Sequence, residues 1–433
     1  MMACLLTLGR AIEMQALFGE SQTNMTMKTF IGFKEALDIT LASVAAGDTE
    51  VLPLLEATGR TLAEEVRAKV DSPSISTSRK DGFAVVSGDL EKASGGKPVT
   101  LKLVGSLSAG NMRSIRINRG EAVRVTTGAL IPENAGSVIS EEFCRVEGDT
   151  VVCLNTAESG RNILRQGTDV RSGEMVAGRG AQLTPPLLGL IAAAGHGSIK
   201  AYRPPRTAVI ATGDEVVTPG QPLPEGKLYA SNLVEICAWL SFYGIPFEAA
   251  IVRDSREDIQ EVILKRSPQC DVFITSGGAW GSEKDLLLNV VADMGWTGIY
   301  HRVRMGPGKP VGFGILEGRP FFVLPGGPPS NEMAFLQLCL TALMKMKGAT
   351  SPVFPMAPAR LSDRVTGERG WTEFIHARLE KRPDGLLAIP SRLQSRLKSM
   401  AEKDALIIIP EDRDEIPAGE TIDVQLLRPN LPG

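Results

Sequence analysis

Three short apolar runs, each closing on glycine, set the pattern of this chain between residues 206 and 330. They read TAVIATGDE (Thr207 to Glu215), CDVFITSGGAWGSEKD (Cys270 to Asp285) and PFFVLPGGPPSN (Pro320 to Asn331). β-Branched and aromatic residues lead into a glycine turn, and a polar or helix-starting stretch follows. Buried parallel strands with βα loops have this pattern. Between the runs, Ser231 or Asn232 can cap a helix through Leu240, FEAAIVRD reads as a strand, and Ser255 with Asp258 resembles a capping box. SNEMAFLQLCLTALMKM reads as the last helix. The pattern predicts a doubly wound parallel α/β sheet over residues 205–350.

The flanking sequence has other periods. Phe33, Ala36, Leu37, Ile39 and Leu41 recur at helical spacing and predict a helix from Phe33 to Leu54, with a second from Leu55 to Val66. Residues 71–164 alternate in short runs broken by Gly, Asn and Pro, which predicts a mostly-β inserted domain. In LTPPLLGLIAAAGHG, Pro185 and Pro186 stand near a helix start and Gly195 near its end. Residues 27–70 and 165–204 then form one discontinuous helical and extended domain around the insertion. The tail, 351–433, alternates again and reads as a small β-barrel or sandwich. Residues 1–26 read as an unstructured extension, with a more natural start at Met25 or Met27.

Composition narrows the function. The net charge of −3 lacks the basic excess of an electrostatic nucleic-acid binder. Six scattered cysteines and three histidines give no zinc-site spacing, and free thiols suit a cytoplasmic protein. No apolar run reaches the ~18 residues of a membrane span.

Ligands of open α/β sheets bind at the carboxyl ends of the strands. Glycines there let backbone N–H groups approach an anion. A phosphate-bearing ligand is therefore expected near Thr212, Gly213, Ser276, Gly277, Gly278, Gly326 and Gly327. Glu215, Asp254 and Asp285 follow strands and could supply oxygen ligands to Mg²⁺, or merely complement helix dipoles. Lys309 and Pro310, in MGPGKPVGFG, offer an oxyanion contact or a solvated loop. Asp81 in SRKDG and Thr127 in VTTGA could touch a ligand or close ordinary turns, and Trp280 could stack on a ring or anchor its loop.

Together ATGDEV, TSGGAWGSEKD, GPGKP and LPGGPPS resemble the MoeA/gephyrin E-domain family, the molybdopterin molybdotransferases. RKDGFAV, RVTTGALIP and SGRNILRQGTDVRSGE follow the family's order, so the resemblance covers essentially Met27 to Leu427. It implies a molybdopterin-binding α/β domain and the last step of molybdenum-cofactor synthesis. Molybdate and an adenylylated molybdopterin are the implied substrates, AMP is released, and a divalent cation assists. By position, Asp81, Thr127, Glu215, Asp254, Asp285, Lys309 and Pro310 match site residues, and Ser395 falls in a serine-rich ligand loop. The resemblance also implies a homodimer in which Asp81 and Thr127 face the partner's α/β domain, and contact with other cofactor-synthesis proteins. The chain departs from the family pattern at Ser76, Ala230, Gly306, Gly327 and His376. The departures keep two further readings open, a pterin-binding scaffold or regulator and a tungstate-preferring paralogue.

Overall fold

The computed structural model describes residues 27–278, 286–352, 354–391 and 395–427. The chain divides into two compact units, Met1–Thr49 with Tyr202–Gly433, and Glu50–Ala201.

The larger unit opens with strand β1 (Lys28–Gly32) and helix α1 (Phe33–Ala42). After the smaller unit it continues through β2 (Thr207–Thr212), α2 (Ser231–Phe242), β3 (Phe247–Val252), α3 (Arg256–Arg266), β4 (Val272–Ser276) and α4 (Leu286–Asp293). Then come β5 (Thr297–Gly306), β6 (Gly312–Leu316) and β7 (Arg319–Leu324). The sheet order is β3-β2-β4-β7-β6-β5, with β1 beside β5. Strands β3, β2, β4 and β7 are parallel, as the apolar runs predict. Strand β6 runs back between β7 and β5, so the sheet is mixed. The turn at Pro307–Lys309 joins β5 to β6 and is too short for the crossover that parallel neighbours need.

Both faces are covered. Leu233, Ile236 and Leu240 of α2 pack on one face with Phe335 and Leu338, while Ile259, Val262 and Val290 of α3 and α4 pack on the other. The last helix, α5, runs α-helical from Pro328 to Ala334, widens to a π-helical stretch at Phe335–Leu340, and resumes over Thr341–Met346. The stretch is buried on every side, and Thr341 Oγ1 donates to the Leu336 and Gln337 carbonyls that the widened turn leaves underused. Tyr300 is also fully buried; its hydroxyl pairs with Thr40 Oγ1 at 2.7 Å.

The tail closes a five-stranded barrel. Its strands are β8 (Met356–Leu361), β9 (Thr372–Arg382) and β10 (Gly385–Pro390), then, after the short helix α6 (Arg396–Glu402), β11 (Ala405–Ile409) and β12 (Thr421–Leu426). The pairs β9–β10, β10–β8, β8–β12, β12–β11 and β11–β9 complete the ring. Closure removes the open edges that a small sheet would expose.

The smaller unit holds a six-stranded sheet. Its order is Ser137–Ser140, Gly82–Val85, Glu121–Val125, Val99–Leu107, Thr150–Cys153 and Cys144–Glu147. Its one helix of two turns or more among the described residues, Pro185–Ala193, is capped by Thr184, and Gly195 follows at φ +92°.

Three local expectations fail. The helix from Phe33 stops at Ala42, and Thr49–Pro53 is a strand, because Gly47 and Asp48 break the helical period and Pro53 cannot supply a helical N–H. No helix spans Leu55 to Val66. Leu54–Glu56 makes a single 3₁₀ turn, Gly59 takes φ +75°, and Thr61 and Leu62 form bridges to Gln182 and Ala201. Neither Ser231 nor Asn232 caps α2, whose N-cap is the buried Ala230. Ser255 does cap α3, accepting from the Asp258 amide at 3.1 Å.

A buried charged cluster joins the α/β sheet's helices to the barrel. Lys403 Nζ donates to Glu332 Oε1 at 2.5 Å and to the Met400 carbonyl at 2.8 Å. Both side chains are almost fully enclosed, at 4% and 1% exposure. His376 Nε2 stands 3.7 Å from Glu332 Oε2, and its Nδ1 pairs with Ser399 Oγ at 3.0 Å. Burial and the Lys403 charge push the His376 imidazole down to about 4, so it is neutral at pH 7. Burial and the neighbouring Glu332 charge push Glu235 up to about 8, so its carboxyl holds a proton at pH 7.

The Glu235 shift has a definite sign. Between its ordinary value of 4.5 and about 8, the folded chain holds a proton that the unfolded chain has lost. Folding stability therefore falls as pH rises through that window. Urea unfolding of the wild type and Glu235→Gln from pH 5 to 8 should show the wild type losing stability relative to the variant. A constant difference would contradict the buried, protonated carboxyl.

Candidate functional site

The carboxyl ends of β2, β4 and β7 meet in register, with Ala211 opposite Ser276 and Ser276 opposite Leu324. Two asparagines tie the loops beyond them. Asn331, 2% exposed, donates from Nδ2 to the Pro325 carbonyl at 2.7 Å and to Ser276 Oγ at 3.0 Å. Asn232 Nδ2 donates to the Gly326 carbonyl at 2.9 Å and reaches Ser276 Oγ at 3.4 Å. One serine hydroxyl at the end of β4 is thus held from two helices. Sequence reading missed both roles, treating Asn232 as a cap and giving Asn331 none. Their signal is an SN dipeptide opening each helix that follows a glycine or alanine turn.

The glycines are used for space as well as turning. Gly277 and Gly278 take φ +107° and +71°. A Cβ on Gly277 would stand 2.8 Å from the Thr212 carbonyl oxygen, and one on Gly278 would stand 2.9 Å from Leu287 Cβ. Gly277 thereby packs on the Thr212 backbone and Gly278 on the Leu287 side chain, where a ligand's anionic group would approach. At Gly326 and Gly327 a Cβ would meet nothing within 4 Å, so that side of the loop is open. Gly327 is the N-cap of α5.

Carboxylates stand at the same edge. Asp214 Oδ1 accepts from the Asp254 amide at 3.3 Å, which places the β2 and β3 loops side by side. Glu215 is exposed, and its carboxylate folds back over Gly213, where a Cβ would lie 2.6 Å from Oε2. Among the described residues no group of three or more His, Cys, Asp or Glu could hold a metal ion. Asp285, the third expected ligand, and Trp280 lie outside the described residues.

Lys309 and Pro310 sit in the turn between β5 and β6. Strand β5 runs in the same sense as β7, so this turn is on the carboxyl edge too. It lies two to three strand spacings from Ser276, roughly 10–14 Å along the edge. The Lys309 ammonium stands over two aromatic rings, 5.1 Å from the Phe30 centroid and 5.3 Å from that of Trp371. Those rings meet edge to face at 5.5 Å. Such a cage fixes a cation without neutralising it, which suits an oxyanion contact. Arg304 is tied to the same ring, donating to the Phe30 and Gly370 carbonyls. Phe30 and Trp371 are invisible to sequence reading, because β1 and the barrel bring them in from distant segments.

The departures also find physical places. A Cβ on Gly306 would stand 2.1 Å from Glu373 Oε2, so the Glu373 carboxylate fills that space. Burial and the Glu368 charge hold the Glu373 carboxyl above the ordinary range. His376 belongs to the buried cluster on Glu332. Ser395 caps α6, accepting from the Lys398 amide at 3.4 Å. Its neighbour Ser399 is the one in the buried network, donating to Ser391 Oγ.

In the smaller unit, Asp81 and Thr127 come together. Asp81 Oδ1 accepts from the Thr127 amide at 2.6 Å and from its hydroxyl at 2.9 Å. Those two bonds, the amide first, hold the Asp81 carboxyl below the ordinary carboxylate range. Gly82 is required beside them, since a Cβ would stand 2.0 Å from the Ile139 carbonyl oxygen. Ser76 Oγ accepts from the Gln166 amide at 3.1 Å.

Three family models match the chain in order. They describe a MoeA N-terminal region (domain I and II) over residues 31–195, a probable molybdopterin binding domain over 208–345, and a MoeA C-terminal region (domain IV) over 358–427. A molybdopterin molybdenumtransferase of Haemophilus influenzae is 30% identical over 383 residues, covering 87% of this chain and 93% of its own. Molybdopterin molybdenumtransferase 2 of Mycobacterium tuberculosis is 30% identical over 379 residues, covering 86% and 94%. The crystal structure of a molybdopterin biosynthesis MoeA protein from Pyrococcus horikosii superposes with a TM-score of 0.77 at 29% identity, covering 92% of this chain and 99% of that one. Sequence, domain order and fold agree across residues 31–427, and the chain belongs to the MoeA family.

Proposed function

We propose that this chain transfers molybdenum from molybdate to an adenylylated molybdopterin and releases AMP, the last step of molybdenum-cofactor synthesis. The observation that carries the reading is the convergence of the β2, β4 and β7 loops on Ser276, with Gly277 and Gly278 at positive φ beside it. Thr212, Gly213, Ser276, Gly277, Gly278 and Gly326 bind the phosphates and the pterin end of the nucleotide. Lys309, caged by Phe30 and Trp371, holds the molybdate oxyanion beside Pro310, and Ser395 closes the site from the barrel. A water oxygen attacks the adenylate phosphorus as the phosphoanhydride bond breaks, AMP leaves with that oxygen and molybdopterin keeps its own phosphate; the two dithiolene thiols give up their protons and replace molybdate oxygen, which leaves as water.

Glu215, Asp254 and Asp285 would hold Mg²⁺ there. The donors are hard carboxylate oxygens, and Mg²⁺ commonly takes one or two carboxylates and completes its shell with substrate phosphate and water. Its chemistry would be to neutralise charge on the phosphates. The protein residues orient the anhydride and exclude free rotation of the leaving group.

Asp81 and Thr127 complete the site from a second copy of the chain, so the active form is a homodimer. Their mutual bonds hold a carboxylate ready at the surface of the smaller unit.

Lys309→Ala should raise the KM for molybdate about tenfold or more while changing affinity for the pterin nucleotide less than about twofold. Steady-state AMP release and nucleotide titration separate the two. Equal loss of both would contradict the oxyanion role. Asp81→Ala and Lys309→Ala chains, assayed at molybdate well below the raised KM so that each alone is nearly silent, should recover roughly a quarter of wild-type activity when unfolded and refolded together, because half the dimers then carry one intact shared site. No recovery would place each site within one chain.

A further inference from the structure

A cavity of about 480 Å³ lies within the larger unit, between α2, α5, α6 and Leu427. It is built on the helices that carry Asn232 and Asn331 but opens among other residues. Its walls are apolar, from Trp239, Phe242, Leu397, Met400 and Leu427, and Ala238 stands at its rim. Phe242 and Leu397 keep about half of their surface exposed, at 56% and 50%. The polar groups are Glu235, Glu332 and Lys403. The size is that of a small organic molecule, well beyond a lone ion.

The charges select the ligand. Two carboxyls face one ammonium. Lys403 is committed to Glu332 Oε1 and the Met400 carbonyl, so it offers little to an anion. Glu332 Oε2 is closed to solvent and faces the Glu235 carboxyl, whose proton it shares. A carboxyl that keeps its proton because a carboxylate lies beside it can exchange that proton for a charge-assisted donor. His376 lies 3.7 Å from that oxygen but is neutral at pH 7, so it adds no second cation to Lys403. The indole of Trp239 adds flat apolar wall beside Glu235.

We propose that this cavity binds a small organic cation, with an aromatic or alkyl body against Trp239, Phe242, Leu397 and Met400 and an amidinium, guanidinium or ammonium head on the Glu235 carboxyl, beside Glu332. The site is separate from the strand-end loops, so it takes a ligand other than the pterin nucleotide. Binding displaces the proton that Glu235 holds at neutral pH.

Calorimetric titration of the full chain at pH 7 with benzamidinium, benzamide and benzoate tests this. The three share one ring and nearly one shape but differ in charge. Benzamidinium should bind about tenfold or more tighter than benzamide, with benzoate weakest. Titration in buffers of different ionisation enthalpy should show proton release on benzamidinium binding. Ala238→Phe, at an exposed helix position, should abolish binding without lowering the melting temperature. Glu235→Gln should weaken benzamidinium and leave benzamide unchanged. Equal affinity for the cation and the neutral amide, preference for benzoate, unchanged binding by Ala238→Phe, or no binding by the folded wild type would each overturn the proposal.

Discussion

The Asn331 side chain is the constraint on which the strand-end site depends. Its amide is buried, and both of its donor bonds go to groups with few alternatives, the Pro325 carbonyl and the Ser276 hydroxyl. Parallel strands end with unpaired backbone groups, and glycine loops have many conformations available. A buried amide that satisfies two loops at once removes that freedom. Asn232 repeats the arrangement from α2. The glycines then keep the space that the asparagines define, as the close approach of Gly277 to the Thr212 carbonyl shows.

The second organising feature is the closed barrel and its buried ion pair. Glu332 immediately follows Asn331, so one turn of α5 serves both the strand-end loops and the anchor to Lys403. An enclosed pair contributes less to stability than its short distance suggests, because both ions are desolvated. Its effect is positional: a misplaced barrel would leave each charge unmatched. The same crowding gives Glu235 and His376 their opposite shifts, each toward the neutral form. Just before β9, Trp371, with Phe30 of β1, carries the Lys309 ammonium, which explains how a lysine in a short loop is held in place.

Much of this was legible in the sequence, for physical reasons. The strands β2, β4 and β7 are buried on both faces, so their apolar runs are continuous and their glycine stops abrupt. The Ser255 cap needs only local chemistry, and it forms. The β5–β6 turn, with Lys309 at its tip, follows from Gly and Pro alone. What failed needed distant partners. The stretch after Ala42 has apolar residues near helical spacing, yet Leu52 and Leu62 are buried in extended segments of the smaller unit. Ala230 displaced two good capping residues because Asn232 is drawn away to Gly326 and Ser276. Glu332, Lys403 and Glu235 look like ordinary surface charges until α2, α5 and α6 bring them together. The cage around Lys309 likewise joins residues more than sixty positions apart on either side.

The central claim is that the strand-end loops carry out metal transfer, beyond binding a pterin. The direct measurement is single-turnover reaction of the purified chain with adenylylated molybdopterin and Mg²⁺, with molybdate, tungstate or no oxyanion. AMP release and pterin-bound metal would be quantified in the same samples. The account predicts that AMP appears only with an oxyanion, and that molybdenum enters the pterin in step with it. Tight nucleotide binding with no AMP released, or AMP released without an oxyanion and without metal on the pterin, would contradict it.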